Sequence, residues 1–194
     1  MVLICELQPI ERKNNNCTYV LIHFVLSGMT FVIVMGVSGC GKTTVGEQLA
    51  RKLGFKFCDA DDFHSDENKE KMARGIPLTD EDRLPWLQTL SQLPLRHEKL
   101  VLACSALKQK YRSVLVQNAR SQSFVFLDVP ESELRRRLSS RQGHYMKANM
   151  LESQLATLER PQRDDRGYVI VDCGFEKSVN DVVNEIAEAL TNEK

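Results

Sequence analysis

Eight residues in the first quarter of the chain have the types and spacing of a phosphate-binding loop. Residues 36–43 read G-V-S-G-C-G-K-T and match the pattern G-x-x-x-x-G-K-[ST]. Glycines allow positive φ angles, so that successive backbone N–H groups turn inward around an anion. An apolar run at residues 31–35 leads into the loop and predicts a buried strand before it. This context favours a phosphate site over a glycine-rich turn without a ligand.

The side chains of the loop predict how a nucleotide is held. We predict that Lys42 reaches the β- and γ-phosphates of ATP and that Thr43 places its hydroxyl on Mg²⁺. The helix that starts there directs the positive end of its dipole at the same charge. Cys40 is either an oxidisable thiol or a small loop residue without a redox role. The predicted nucleotide-binding residues are Gly36, Val37, Ser38, Gly39, Cys40, Gly41, Lys42, Thr43 and Thr44.

Length and composition fit one globular domain. The chain has 194 residues, of which 42% are hydrophobic and 27% are charged. Its formal net charge is zero, so no global positive field favours nucleic acid as a partner. The 6 cysteines form no C-x-x-C pair and no cluster with zinc spacing, which fits a reducing, cytoplasmic compartment.

The N-terminal residues do not follow the pattern of the rest. Residues 19–35 are largely apolar but contain His23, Ser27 and Gly28, and their second half is needed as the predicted strand. Neither a membrane span nor a secretory signal fits them well. We expect residues 1–29 to be a flexible or dispensable extension, and residues 30–194 to form a single domain.

Beyond residue 30, short apolar runs alternate with amphipathic segments, which is typical of a parallel α/β sheet. A helix is predicted to follow the phosphate loop and to end at Gly54, and a last helix is predicted to open at Ser178. The predicted strands are residues 31–35, 55–58, 100–103, 124–128 and 168–172.

Polar residues that follow the strands are candidates for the site, because ligands of such sheets bind beyond the carboxyl ends of the strands. Asp59 and Asp61 follow the second strand, and side chains two residues apart point the same way if the chain stays extended. We predict that Asp59 holds Mg²⁺ through water and that Asp61 orients or deprotonates a substrate hydroxyl. The alternative is an acidic turn without a catalytic role.

A basic segment after the fourth strand supplies further candidates. Arg137 and Arg141 are four residues apart, so on a helix they share one face and are predicted to contact the transferring phosphoryl group. Residues 137–148, approximately, are predicted to form a lid that closes over the nucleotide. The alternative is a solvated basic helix, a role that suits Arg135 and Arg136 better.

The chain resembles the small P-loop gluconokinases from residue 31 to the C-terminus. The most specific stretch is D-A-D-D-F-H at residues 59–64, and the likeness continues in L-A-C-S-A-L-K at 102–108 and R-x-G-H-Y-M at 141–146. The chain departs from the family pattern at Cys40, where serine is frequent, at Ser65, where proline is frequent, and in its N-terminal extension.

The resemblance implies ATP-dependent phosphorylation of D-gluconate to 6-phosphogluconate. It also implies a three-layer α/β sandwich with strand order 2-3-1-4-5, a fold similar to shikimate and nucleoside monophosphate kinases, and a homodimer. Because this substrate is a polyol with a carboxylate, cations should line its pocket, and Arg83 is assigned to the carboxylate. Besides Asp61, the further substrate contacts are assigned to His64, Lys71, Lys108, Arg112 and His144.

Other interpretations remain open at this point. Taken singly, the histidines and cations also fit packing or solvated surface positions. The chain could be a related kinase of another hydroxy acid or of a nucleotide, or a regulatory protein that binds a nucleotide without turnover. The joint presence of Asp59, Asp61, Arg137 and Arg141 favours an active kinase.

Overall fold

Five parallel strands form a single sheet. They are β1 (Phe31–Met35), β2 (Lys56–Asp59), β3 (Leu100–Ala103), β4 (Gln122–Asp128) and β5 (Tyr168–Asp172). The structure, a computed structural model, describes residues 31–140 and 147–192. The strand order is β2-β3-β1-β4-β5, and every neighbouring pair is parallel. The predicted α/β architecture and its strand order are confirmed.

Helices connect the strands and cover both faces of the sheet. In the described residues they are α1 (Lys42–Leu53), α2 (Asp66–Ala73), α3 (Asp80–Ser91), α4 (Leu93–Arg96), α5 (Gln109–Leu115), α6 (Glu131–Ser139), α7 (Lys147–Thr157) and α8 (Val179–Asn192). A short 3-10 helix, Ala60–Phe63, links β2 to the segment before α2.

The central strand is buried on both sides, because helices pack on each face. Val32 and Val34 of β1 join a core with residues of α1 and α8. Phe31 and Ile33 point to the opposite face and join a second core with residues of α3 and α5. A strand covered on both faces reads as a continuous apolar run, which is why residues 31–35 stood out in the sequence.

Two strands begin at residues other than those predicted. The Phe55 N–H donates to Ala50 O at 2.9 Å, so Phe55 belongs to the end of α1 and β2 starts one residue later, at Lys56. β4 starts two residues earlier than predicted, because Gln122 and Ser123 pair in register with β1. Because these two residues are polar, a prediction based on apolar runs missed the start of the strand.

The predicted ends of the first and last helices are confirmed. Gly54 has φ 69° and ψ 31°, a left-handed conformation that closes α1 without a side-chain clash. α8 begins after Ser178, whose hydroxyl accepts a hydrogen bond from the Asp181 N–H at 3.2 Å. The Asp181 carboxylate in turn accepts from the Ser178 N–H at 3.2 Å, so the two residues cap the helix reciprocally.

Some of the predicted features lie outside the described residues. These are the N-terminal extension at residues 1–29 and the middle of the predicted lid, residues 141–146. The described parts of the lid range are the end of α6 and the first residues of α7. In the two described ranges, no helix is long and apolar enough to cross a membrane.

Candidate active site

The phosphate loop joins β1 to α1 and depends on glycine at its narrowest point. Gly36 has a φ of 142°, and a Cβ added there would lie 2.8 Å from the Sγ atom of Cys40 and 3.3 Å from the carbonyl oxygen of Leu127. A side chain at this position would therefore displace the loop. Cys40 itself is only 2% exposed, which limits access of oxidants to its thiol.

The N-terminus of α1 is left open for an anion. Gly41 caps this helix in a left-handed conformation, with φ 99°, and has no side chain to accept the N–H groups of the first turn. These amides therefore stay available to a phosphate at the positive end of the helix dipole. Lys42 follows directly, and its Nζ donates to Val37 O at 3.1 Å, so the ammonium group lies over the loop.

Thr43 and Asp59 meet at the edge of the loop. The Thr43 hydroxyl donates to Asp59 Oδ2 at 2.7 Å and links the start of α1 to the end of β2. The other carboxylate oxygen, Asp59 Oδ1, accepts from the Asp61 N–H at 3.1 Å. The two oxygen-bearing side chains assigned to Mg²⁺ from the sequence are thus adjacent.

Asp61 reaches the cleft by a turn and not by an extended strand. Asp59 has φ −99° and ψ 127°, but the chain enters a 3-10 helix at Ala60, which its side chain caps. The expectation that Asp59 and Asp61 share one side of an extended chain is wrong, because the Asp59 carboxylate accepts the Asp61 N–H and stabilises the turn. The Asp61 side chain is 86% exposed and faces the cleft.

Arg137 of α6 is held against the loop by a buried carboxylate. Its Nε donates to Glu133 Oε1 at 2.7 Å, and its Nη1 and Nη2 donate to the carbonyl oxygens of Cys40 and Cys173 at 3.4 and 3.2 Å. Glu133 is 1% exposed and also accepts from Arg136. Hydrogen bonds from Arg136 and from Arg137 lower the pKa of Glu133 to about 2, against the opposing effect of its burial.

The arginine predicted to act together with Arg137 lies outside the described residues. α6 ends at Ser139, and Arg141 lies outside the described residues, as does His144. Arg135 instead pairs with Glu131 on the surface, at 2.7 Å. Arg137 and Arg141 were the predicted phosphoryl contacts from this region. Of these, Arg137 is described and lies beside the phosphate loop.

Two clefts flank the phosphate loop. We name them the outer pocket, next to Arg137, and the acceptor cleft, next to Asp61. The outer pocket is lined by Cys40, Gly41, Thr44, Val45, Arg137, Cys173, Lys177, Val179 and Val182. The acceptor cleft is lined by Ser38, Lys42, Asp61, His64, Met72, Ile76, Pro77, Leu78, Arg83, Trp86, Ser105, Ser153 and Gln154.

His64 is a buried, neutral wall of the acceptor cleft. The residue is 7% exposed and its ring stacks on Trp86, with centroids 4.2 Å apart, while the Trp86 indole donates to Ala60 O. Burial lowers the pKa of His64, although the nearby Asp61 carboxylate, 3.9 Å from Nε2, acts in the opposite direction. Nδ1 is buried and has no hydrogen-bond partner among the described residues.

Arg83 lies at the other side of the acceptor cleft. Its Nη1 donates to the carbonyl oxygens of Leu78 and Thr79, which fixes the segment before α3. Its guanidinium lies 5.7 Å from the centroid of the Tyr111 ring, a cation–π contact. No carboxylate pairs with Arg83 in the described residues, so its charge stays available to an anionic substrate.

The three other predicted cations do not line the cleft. Lys71 pairs with Asp82 at 2.7 Å and Lys108 pairs with Asp80 at 3.1 Å. Arg112 is 3% exposed and donates to the carbonyl oxygens of Ala106, Leu107 and Glu159. In this structure they hold helices and loops around the cleft, and the assignment of Lys71, Lys108 and Arg112 to substrate stays a prediction.

Comparison with known proteins places this arrangement in a family. A family model described as shikimate kinase matches residues 38–191. A probable gluconokinase of Xenopus tropicalis is 44% identical over 174 residues, covering 80% of this chain and 90% of the relative. The thermosensitive gluconokinase of Escherichia coli K12 is 42% identical over 151 residues, covering 76% of this chain and 80% of the relative.

The chain belongs to the gluconokinase family. A crystal structure of a gluconokinase from Sinorhizobium meliloti 1021 is similar throughout, with a TM-score of 0.77 and 41% sequence identity. The match covers 84% of this chain and 92% of that chain. The fold, the phosphate loop and the kinase activity inferred from the sequence are therefore those of the gluconokinase family.

Three residues of this gluconokinase-type site were not among those predicted from the sequence. Gln154 accepts the Ser38 N–H at 2.7 Å, Ser105 follows β3 in the wall of the acceptor cleft, and Glu133 holds Arg137. Ser105 has a sequence signal, because it directly follows a strand of a parallel sheet. Glu133 has one too, because it stands four residues before Arg137 on the same helix, a spacing that favours an ion pair. Gln154 lies within a helix and has no such local signal.

Proposed function

We propose that this protein transfers the γ-phosphoryl group of ATP to the terminal hydroxyl of D-gluconate, giving 6-phosphogluconate and ADP. One observation carries the proposal. A single cleft brings Lys42 and Ser38 of the phosphate loop together with Asp61, His64 and Arg83. The gluconokinases to which this chain is similar support gluconate as the substrate.

ATP fits the loop and the outer pocket. The open amides at the start of α1 would take the β- and γ-phosphates, and Lys42 Nζ would exchange Val37 O for phosphate oxygens. The outer pocket is lined by the aliphatic side chains of Val45 and Val179 and by Arg137, a combination that suits the base and ribose.

Mg²⁺ fits the oxygen donors at the edge of the loop. The Thr43 hydroxyl and the Asp59 carboxylate are hard ligands of the kind this ion prefers, and they lie 2.7 Å apart. The described residues contain no cluster of three or more His, Cys, Asp or Glu side chains that could hold a metal. This agrees with an ion bound mainly by phosphate and water, with few protein ligands. When bound, it neutralises charge on the β- and γ-phosphates.

Gluconate would bind with its carboxylate toward Arg83 and its terminal hydroxyl toward Asp61. Arg83 has no carboxylate partner of its own among the described residues, and a guanidinium is suited to bidentate carboxylate binding. The stacked rings of His64 and Trp86 would form one wall beside the polyol chain. Met72, Ile76 and Leu78 add apolar side chains to the lining of the same cleft.

The reaction is an in-line displacement at phosphorus. The terminal hydroxyl oxygen of gluconate forms a bond to the γ-phosphorus while the bond from phosphorus to the ADP oxygen breaks. The proton of the hydroxyl passes to the Asp61 carboxylate, which is exposed in the cleft and can release it to water. Lys42 and Arg137 stabilise the charge that develops on the phosphoryl oxygens. The assignments of Arg141 to the phosphoryl group and of His144 to the substrate stay predictions.

The test is ATP-dependent formation of 6-phosphogluconate by the purified protein in a coupled dehydrogenase assay. Shikimate, other sugar acids and nucleoside monophosphates are assayed in parallel for ADP release. We expect a strong preference for gluconate, and a loss of turnover on the order of 10²-fold or more in the Lys42→Ala variant. Folded protein that binds ATP and turns over another acceptor, or none, would contradict the proposal and favour the alternative kinase or the regulatory protein.

Two further predictions accompany this function. We propose that the protein works in the cytoplasm, which its cysteine pattern favours, and that it forms a homodimer, as its resemblance to the gluconokinases implies. Sedimentation equilibrium of the purified chain checks the second of these, since a monomer mass at micromolar concentration would contradict it.

A further inference from the structure

Gln154 connects the acceptor cleft to the phosphate loop. It lies on α7 and is separated from Ser38 by 116 positions in the sequence, yet its Oε1 accepts the Ser38 N–H at 2.7 Å. A backbone N–H can only donate, so this contact also fixes the orientation of the side-chain amide. The oxygen faces the loop, and the NH₂ group faces away from it.

The NH₂ group of Gln154 is available for a ligand. Within residues 31–140 and 147–192, no hydrogen-bond partner is found for Nε2. Gln154 lines the same cleft as Asp61, His64 and Arg83, and is half-buried there. An amide nitrogen carries two N–H donors, which suit the hydroxyl oxygens of a polyol.

A role as a simple tether for α7 explains less of the structure. α7 is already anchored by Leu151, which is 1% exposed in the core, and by Leu155, which packs against the same core. The helix therefore has an apolar attachment to the domain without Gln154. A side chain that is not needed for docking but faces a ligand cleft is better explained by recognition.

We infer that Gln154 is a specificity-determining residue for the acceptor: Oε1 holds the Ser38 amide and Nε2 donates to a hydroxyl oxygen of the sugar acid. While Gln154 occupies the Ser38 N–H, this amide is not available to a phosphate oxygen. Gln154 thus lies between the nucleotide and the acceptor, and it positions the bound acceptor relative to the phosphate loop. This inference rests on the proposed function, because it takes a polyol acid as the acceptor.

The test uses two substitutions of similar length in the full chain. Gln154→Glu keeps an oxygen for the Ser38 N–H but removes both donors and adds a charge that repels an anionic acceptor. Gln154→Met removes the loop contact as well. Glu152→Gln, on the same helix, is the matched control. Gluconate binding is measured by calorimetry on the protein with a non-hydrolysable ATP analogue, separately from turnover, ATP affinity and melting temperature.

We expect the Kd and KM for gluconate to rise by about 10-fold or more in both Gln154 variants. In Gln154→Met, which adds no charge, the ATP affinity should stay within about threefold of wild type, because the other loop amides and Lys42 hold the phosphates. In Gln154→Glu the melting temperature should be unchanged, because the loop contact is kept. Glu152→Gln should match wild type in all four measurements, since its exposed ion pair with Arg135 contributes little.

Two other outcomes would overturn the inference. Variants that lose ATP affinity or melting temperature while gluconate binding is unchanged would show that Gln154 is only a tether. Variants that match wild type throughout would show that it has neither role, and the proposed function would stand if the wild type still phosphorylates gluconate. A wild type that neither binds nor phosphorylates gluconate would instead refute the proposed function, and with it the acceptor named for Gln154.

Discussion

The Thr43 hydroxyl donates a hydrogen bond to Asp59 Oδ2 at 2.7 Å. This contact joins the first turn of α1 to the end of β2. The two residues are 16 positions apart, and β2, which carries Asp59, is separated from β1 by β3. Their contact forms because α1 begins directly after the loop and lies against the carboxyl end of the sheet. It gathers two hard oxygen ligands where a metal bound to nucleotide phosphates would lie.

Asp59→Asn should weaken the use of Mg²⁺. The amide keeps the shape of the side chain and can still contact Thr43, but it loses the negative charge that attracts the ion. We expect the Mg²⁺ concentration for half-maximal activity to rise by about 10-fold. A magnesium titration of turnover at saturating ATP and gluconate measures this, and an unchanged titration curve would remove Asp59 from the metal site.

Asp61→Asn should impair the chemical step more than binding. The variant keeps a hydrogen-bonding group near the acceptor but cannot take its proton, so we expect kcat to fall by about 10² to 10⁴-fold. Asp62→Asn is the matched control, because Asp62 is the next residue in the same turn and does not line the cleft. Steady-state kinetics checks both variants. Equal losses in Asp61→Asn and Asp62→Asn would indicate a general effect on the turn.

Arg83→Ala should raise the KM for gluconate by about 10 to 100-fold, since it removes a charged hydrogen-bond donor from the carboxylate. The Kd for ATP should stay close to wild type, because Arg83 lies on the acceptor side of the loop. Arg74→Ala removes an exposed cation that pairs with Glu70, and serves as the control. Melting temperatures are compared as well, because Arg83 also donates to the carbonyl oxygens of Leu78 and Thr79. An unchanged KM for gluconate would show that Arg83 does not bind the substrate carboxylate.

Glu133→Gln should lower the melting temperature by several degrees near neutral pH, because it leaves Arg136 and Arg137 without their shared carboxylate. The pKa of Glu133 is lowered from 4.5 to about 2 in the folded protein. Its contribution to stability is therefore complete above pH 4.5 and is lost as the pH falls toward 2. The difference in melting temperature between wild type and variant should narrow across that window.

Thermal melts of both proteins from neutral pH down to the acid range test this prediction. Glu131→Gln is the control on the same helix, because Glu131 pairs with Arg135 on the exposed surface and should shift the melting temperature little. A difference for Glu133→Gln that is the same at neutral pH and in acid would show that its charge is not the cause.

Deletion of residues 1–28 should leave catalysis intact. β1 begins at Phe31, and the residues of the loop and of both clefts that the structure describes all follow it. We expect kcat and KM of the shortened protein to stay within about twofold of the full chain. Complete loss of active protein on expression of the shortened chain would show that the extension is needed.

Short-range features of the molecule could be predicted from the sequence. Gly36, Lys42 and Thr43 identified the phosphate loop, and Gly54 and Ser178 marked helix ends, because these features depend on the backbone conformation and hydrogen bonds of a few consecutive residues. The buried strands were found for the same reason, as continuous apolar runs. The boundary errors at Phe55 and Gln122 arose where a helix end or a polar pair obscured the start of a strand.

The partners of charged side chains that pair across different segments were decided only by the tertiary structure. The resemblance assigned Arg83 to the substrate carboxylate and Lys71 and Lys108 to further substrate contacts. The structure pairs the two lysines with Asp82 and Asp80, which are 11 and 28 positions away, and leaves Arg83 at the cleft. No local pattern distinguishes these cases, because each depends on how a helix docks against its neighbours.

The sequence by itself determined the strands and the phosphate loop, since both follow from local patterns, and its resemblance to the gluconokinases implied the strand order and the reaction. The tertiary structure decided which side chains from distant segments meet at the site. It brought Gln154 to Ser38 over 116 positions, and it placed Arg137 of α6 against the carbonyl oxygens of Cys40 and Cys173. Such contacts depend on packing between distant segments, which leaves no regular spacing in the chain.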